Sequence, residues 1–458
     1  MSPTSEKLTD KPSGLLTLLD ELEKRGADDA EITYQMGNYI RTIAREKGIP
    51  LQGTFELTPL CNLNCKMCYV HLKADALHTT NHRLLTGRQW LRIMEQAVRE
   101  GMLCATLTGG EALMHPDFDA VYQYLQSQGV EITLKSNGLL LDEKRMAFFE
   151  AHPPQEIQIS LYGTNDDIYE SVTGKRCFQQ VISAIKRVKA SKIALHVSIT
   201  PNRYMKDDIS SILALMDDMK IQYGVNSSLI RPRQETGREL DDMDLTLEEY
   251  IALYKKQAAM RKQPLTPCCI QDIPEQPTGR KPISGLPCGA GRNSFSIRWD
   301  GSMYPCLSLT DVGADVNSTP FSAAWKLVRA AVENHSFPGE CMACELRPIC
   351  TPCVVAHAPD GWTEHANPAL CKRARRLLEE GLVHLDKKKR RSNMKKQYTT
   401  PTAKKVTFNY EKVVAQSGTT CFWGSYHEGK LCHESHQETG VSLASVVPEC
   451  GWVVEREE

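Results

Sequence analysis

The densest chemistry in the chain lies in Cys61-Asn-Leu-Asn-Cys65-Lys-Met-Cys68-Tyr69, three thiols within eight residues. Any disulfide pairing among Cys61, Cys65 and Cys68 leaves one thiol over. The three suffice instead for three corners of an iron–sulfur cube whose fourth iron has no protein ligand. Sites that only carry electrons are held by four cysteines, so an open iron implies that a substrate or cosubstrate binds there. The alternatives are reduced structural thiols or a zinc site. Zinc takes four ligands, and His71, the nearby candidate for the fourth, is poorly spaced for it.

The stretch resembles the cluster loop of the radical S-adenosylmethionine (SAM) enzymes. By that resemblance Cys61, Cys65 and Cys68 hold a [4Fe–4S] cluster whose open iron chelates the amino and carboxylate groups of SAM. The cleaved cosubstrate then yields a 5′-deoxyadenosyl radical that takes a hydrogen atom from the substrate. Tyr69, which closes the loop, is counted with the cofactor-binding residues. Gly109-Gly110-Glu111 resembles the family's stretch that binds the SAM amino group, with Ala112 where a proline is usual. Glycine there permits close backbone approach. Ser136-Asn137-Gly138 matches the position that contacts the SAM ribose and methionine, and Ser160 is a polar contact to SAM. Arg231 is a guanidinium for the SAM carboxylate. Ordinary turn chemistry is the alternative for each, and no residue is marked as a catalytic acid or base.

Strand-like runs at Thr54–Leu57, Cys104–Thr108, Glu131–Lys135, Gln155–Ser160, Ala194–Ile199 and Gly224–Ile230 alternate with helix-like runs. Such alternation predicts a parallel sheet with right-handed crossovers. The resemblance makes it an α/β fold, a partial (β/α)6 barrel over residues 51–255, with active residues at the C-terminal strand ends. Residues 1–50 read as two helices that serve as packing material, the first with apolar residues three and four apart.

A second cysteine-rich region follows a proline-rich connector that contains Cys268 and Cys269. Phe295, Ile297 and Trp299 alternate ahead of Asp300-Gly301, a hairpin turn that brings Cys288 and Cys306 together. Cys341, Cys344, Cys350, Cys353 and Cys371 come next. This region, within residues 256–385, resembles the SPASM domain of radical SAM enzymes that modify peptides and proteins, although Cys350 and Cys353 are spaced by two residues where three is more usual. The resemblance implies two auxiliary [4Fe–4S] clusters. Cys341, Cys344, Cys350 and Cys371 would complete one; Cys288, Cys306 and Cys353 would hold the other, its fourth ligand being Cys268, Cys269, water or a substrate cysteine. A pair of zinc knuckles is the alternative.

A basic linker, residues 386–398, leads to a tail, residues 399–458, that carries Cys421, Cys432 and Cys450. The tail resembles a precursor peptide, the substrate class of SPASM-type maturases, fused to its enzyme. Fusion raises the effective substrate concentration to roughly the millimolar range. A disordered extension, or a small metal site from Cys421, Cys432, His433 and His436, is the alternative. The formal net charge of −1 gives no case for nucleic acid or membrane partners. The polar N-terminus and the lack of an eighteen-residue apolar run point to a cytoplasmic protein. There, seventeen cysteines argue for metal ligation or thiol chemistry, and for an anaerobic or microaerobic host. The expectation is a radical SAM/SPASM peptide maturase that forms a thioether, served by a reductant such as flavodoxin or ferredoxin. A sulfatase-maturase-like oxidase, a cofactor-pathway enzyme of the same superfamily and a redox-inactive metal scaffold are the other readings.

Overall fold

The computed structural model describes residues 13–72, 83–226, 229–238, 243–261, 288–333, 339–342, 344–350, 353 and 365–383. Cys268, Cys269 and the tail cysteines Cys421, Cys432 and Cys450 lie outside the described residues. Two units are distinguished, and residues 13–44 are the described part of the first. They hold α1 (Ser13–Lys24) and most of α2 (Asp29–Lys47), with Arg25 and Glu31 forming an ion pair across the turn between them.

The second unit is built on one nine-stranded sheet in the order β6-β5-β4-β3-β2-β1-β7-β8-β9. β1 (Gln52–Glu56), β2 (Cys104–Thr108), β3 (Glu131–Ser136), β4 (Glu156–Leu161), β5 (Ala194–Ile199) and β6 (Gln222–Val225) are all parallel. The crossovers contain α3 (Gly87–Arg99), α4 (Phe118–Ser127), α5 (Glu143–Ala151), α6 (Asp166–Thr173) and α7 (Phe178–Ala190) together, and α8 (Ile209–Asp218). This is the expected partial barrel. The sixth strand is shorter than expected and stops at Val225, and α6 is an additional helix between β4 and α7. Alternation along the strands buries Leu107, Leu134, Ile157, Ile159 and Val197 completely against the helices.

The cysteine-rich region does not start a separate sheet. After α9 (Leu247–Arg261), β7 (Ser294–Ile297) pairs in parallel with β1, and β8 (Ser302–Tyr304) and β9 (Ala314–Asp315) follow antiparallel. Gly301, at φ +90, turns the β7–β8 hairpin in a conformation that disfavours side chains. Phe55 of β1 meets Phe295 of β7 edge-to-face at 5.8 Å, so the two regions share one core. Phe321, Trp325, Val328 and Val332 line one side of α10 (Phe321–Glu333) and cover the added strands. Two further helices, α11 (Gly339–Met342) and α12 (Pro368–Glu379), complete the described part.

Candidate functional site

The loop after β1 carries Cys61, Cys65 and Cys68, and its backbone is pinned from several sides. Leu63 and Met67 drop into the core. Asn64 and Lys66 donate their backbone N–H groups to the carbonyls of Thr173 and Val172, both at 2.9 Å, at the end of α6. The additional helix is thus a support for the cysteine loop.

Gly109 and Gly110 lie against the same loop. Gly110 N–H donates to Thr58 O at 2.7 Å, and Glu111 N–H to Leu60 O at 2.9 Å. A Cβ on Gly109, whose φ is +141, would stand 2.4 Å from Thr58 O; one on Gly110 would stand 2.3 Å from Leu60 O. The close approach that the glycines permit is therefore to the cysteine loop itself, continuing the β1–β2 ladder past the strand ends.

The three thiols fall within electrostatic reach of one another. Burial pushes Cys61 up to about 12, with Glu111 and Cys68 adding to the shift. Burial, then Cys68 and Cys61, hold Cys65 well above the ordinary thiol range. Opposing this, N–H groups point at sulfur: Leu63 N–H to Cys61 Sγ at 3.4 Å, Asn137 Nδ2 to Cys61 Sγ at 3.6 Å and His71 N–H to Cys68 Sγ at 3.2 Å. Donors around cluster sulfurs tune iron–sulfur sites. Enclosed thiols of this kind ionise when a metal takes the place of their protons. The donor set fits a [4Fe–4S] cluster. Among the described residues, no three His, Cys, Asp or Glu side chains converge on a single metal ion. His71, the candidate zinc ligand, receives a hydrogen bond from Arg238 at Nδ1, 3.0 Å.

Glu111 is 1 % exposed and accepts from Ser136 Oγ at 3.1 Å, Asn137 N–H at 2.8 Å and Leu113 N–H at 3.3 Å. Asn137 Nδ2 also reaches Asn62 Oδ1 at 2.6 Å, so the β3 end is tied to the cysteine loop and to Glu111 at once. Burial raises the Glu111 carboxyl to about 7. A folded pKa above the unfolded one means stability that is present at pH 4 and lost as pH rises through 7. The cluster-free protein is expected to lose on the order of 3 kcal/mol over that window from this group. Denaturant titrations of the parent and Glu111→Gln from pH 4.5 to 8 should show the parent falling relative to the variant, which has no titrating group there, by that amount as pH rises.

Ser160 reaches the neighbouring phenol of Tyr162, which burial raises far above its ordinary value and which lies within electrostatic reach of all three thiols. Tyr162 was not legible as a site residue; it stands one residue past the end of β4. Arg231 is exposed. Two other arginines of the same segment face the loop. Arg238 donates to Cys65 O and Asn64 Oδ1. Arg233 forms a buried two-pronged ion pair with Glu56, both contacts 2.8 Å, and lies 5.5 Å from the Tyr69 ring. Burial raises the Tyr69 phenol, and Glu56, Cys68 and Cys306 add to it. Tyr69 thus stands between the cysteine loop and the second cysteine region.

There, Cys288, Cys306 and Cys353 lie within electrostatic reach of one another, and the surrounding protein raises Cys288 and takes Cys306 up to about 12. Cys341 has Cys371 and Cys344 beside it. Cys350 follows a short turn in which its N–H reaches Arg347 O at 3.3 Å.

Residues 55–216 match the Radical SAM superfamily. The chain carries a radical SAM domain. That domain implies a [4Fe–4S] cluster and SAM as its cofactors. The chain is 27% identical over 308 residues to the mycofactocin maturase MftC of Mycobacterium ulcerans, covering 64% of this chain and 80% of that protein. It is 23% identical over 332 residues to the antilisterial bacteriocin subtilosin biosynthesis protein AlbA of Bacillus subtilis, covering 66% and 69%. In fold it is similar to Streptococcus suis SuiB bound to S-adenosylmethionine, with a TM-score of 0.55, 15% identity and coverage of 78% and 87%. No helix among the described residues is long and apolar enough to cross a membrane.

Proposed function

We propose that this radical SAM enzyme is a cytoplasmic peptide maturase of the SPASM type that forms a thioether on a cysteine-containing peptide, the chain's own residues 399–458 being that peptide. When bound, the cluster and SAM supply the 5′-deoxyadenosyl radical that takes a hydrogen atom from the substrate. Cys61, Cys65 and Cys68 would hold the cluster, and Glu111, fixed by Ser136 and Asn137, would receive the SAM amino group, with Tyr162 and Ser160 close to the same thiols. Domain limits follow the expectation of a barrel from 51 to 255 and a SPASM region from 256 to 385.

The observation that carries the reading is the second thiol group: Cys288 and Cys306 flank a hairpin that pairs with β1, the strand leading into the first group, and Cys353 lies within electrostatic reach of both. Two auxiliary clusters are assigned to Cys288/Cys306/Cys353 and to Cys341/Cys344/Cys350/Cys371. Forming a carbon–sulfur bond removes a hydrogen atom from carbon and a proton from sulfur, and leaves one electron for an acceptor beside the substrate. The three-cysteine site would hold that acceptor and bind the substrate thiolate beside it. Flavodoxin or ferredoxin returns electrons to the enzyme. The names of MftC and AlbA, a maturase and a bacteriocin biosynthesis protein, support a peptide as substrate.

Mass spectrometry of the tail tests this. Protein reconstituted with iron and sulfide and incubated anaerobically with SAM and dithionite should lose two hydrogens in a tail fragment, with one of Cys421, Cys432 or Cys450 resistant to alkylation. An unchanged tail alongside 5′-deoxyadenosine release would remove the tail as a crosslinking substrate.

A further inference from the structure

The inner face of the barrel sheet carries a polar row that the radical site does not use. Lys135 of β3, Gln158 of β4, His196 of β5 and Gln222 of β6 are successive register partners. Their neighbours Leu134, Ile157 and Val197 are fully buried against the helices, so alternation turns this row the other way, into the barrel. Barrel interiors that only need filling are packed with branched apolar side chains. This one presents an ammonium, an amide and an imidazole.

Lys135 is exposed along the open axis of the barrel, and it makes no hydrogen bond or ion pair among the described residues. The walls around it disfavour its charge, while Glu156 supports it from one residue pair deeper. The Glu156 carboxylate is itself engaged by Gln158 Nε2 at 2.5 Å. Burial, then the Lys135 charge, pushes His196 down to about 4, leaving an uncharged imidazole at neutral pH. Gly224 on β6 keeps the space over that ring open; a Cβ there would come within 2.9 Å of Nε2. A lone lysine flanked by neutral hydrogen-bonding groups is complementary to a carboxylate.

We infer that Lys135, with Gln158 and His196, forms a carboxylate-binding subsite in the barrel that takes a glutamate side chain of the chain's own C-terminal segment. The inference rests on the reading of that segment as substrate. Residues 419–458 contain Glu428, Glu434, Glu438, Glu449, Glu455, Glu457 and Glu458 against Lys430 and Arg456. Two of these glutamates sit beside cysteines: Glu449 directly precedes Cys450, and Glu434 follows Cys432 by two. An extended residue advances about 3.3 Å. A glutamate held at Lys135 therefore keeps its cysteine within one or two residues, about 3–7 Å along an extended peptide. SAM is the other source of a carboxylate at this place, and the test separates the two.

Full-length protein is treated with a water-soluble carbodiimide, which joins a lysine amine to a carboxylate as an amide with loss of one water, then digested and mapped. The expected product links Lys135 to Glu434 or Glu449. It should disappear in Glu434→Gln/Glu449→Gln, which has no carboxylate to couple at those positions, and in Lys135→Met, which has no amine. Lys135→Arg, which keeps the cation, controls for folding and should retain tail binding. A SAM adduct on the Lys135 peptide, with SAM suppressing the tail link, would assign the site to the cosubstrate and overturn the glutamate assignment. A link from Lys135 to Glu156 alone, or none, overturns the subsite. The crosslink needs no radical chemistry, so an intact link on a tail that never loses hydrogens would sink the thioether reading and sustain this one.

Discussion

Replacing Cys65 with alanine is expected to abolish 5′-deoxyadenosine release and to remove about four of about twelve irons from the reconstituted protein, if three four-iron clusters are present. The expectation follows from how little else the thiol does. The loop is anchored by Leu63 and Met67 in the core, by its backbone bonds to Val172 and Thr173, and by Arg238, none of which involves the Cys65 sulfur. Thermal unfolding of the cluster-free variant should therefore stay near that of the cluster-free parent. Cys104→Ala is the matched control, because Cys104 opens β2 and faces Glu131 at 3.6 Å, far along the strand from the loop. Equal iron loss in both variants would break the assignment of the first cluster. The raised thiols of Cys61 and Cys65 add a pH arm: metal uptake must release their protons, so the iron loaded at a fixed time should rise with pH.

The barrel was legible because its strands and helices alternate strongly, and β2 and β5 occupy the residues expected of them. The cysteine loop and Glu111 were legible because their residue types are uncommon in plain turns. The joining of the second cysteine region to the first was not. Parallel pairing of β7 with β1 is a contact across more than 200 residues, and no periodicity encodes which edge a hairpin will find. The same limit hid Arg233 and Arg238. Arg231, Arg233 and Arg238 look alike in sequence, and only the path of the irregular segment after Val225 decides which side chains turn inward. Tyr162 was hidden for a local reason, standing one residue beyond the end of β4 where strand alternation gives no guidance.

Arg233 makes the second large prediction. Glu56 is fully buried at the end of β1, and both of its oxygens are held by Arg233, whose side chain is 7 % exposed. Burial works against the guanidinium, and Glu56 more than restores its charge. Arg233→Met leaves the carboxylate enclosed with no cation, which costs about 3–5 kcal/mol. Glu56→Met/Arg233→Met removes both charges and should recover most of that loss, since apolar replacement of a whole buried pair is often close to neutral. If the double variant is no more stable than Arg233→Met alone, the pair is not the source of the cost. Stability is only half of what the pair does. Arg233 also donates to Leu307 O at 3.4 Å, next to Cys306, while Glu56 belongs to the strand that leads to Cys61. The ion pair therefore joins the two thiol groups, with the Tyr69 ring beside it. A double variant that regains stability yet loads less iron at Cys288, Cys306 and Cys353 would separate the two roles, because packing restores the core but has no donor with which to hold the Cys306 turn.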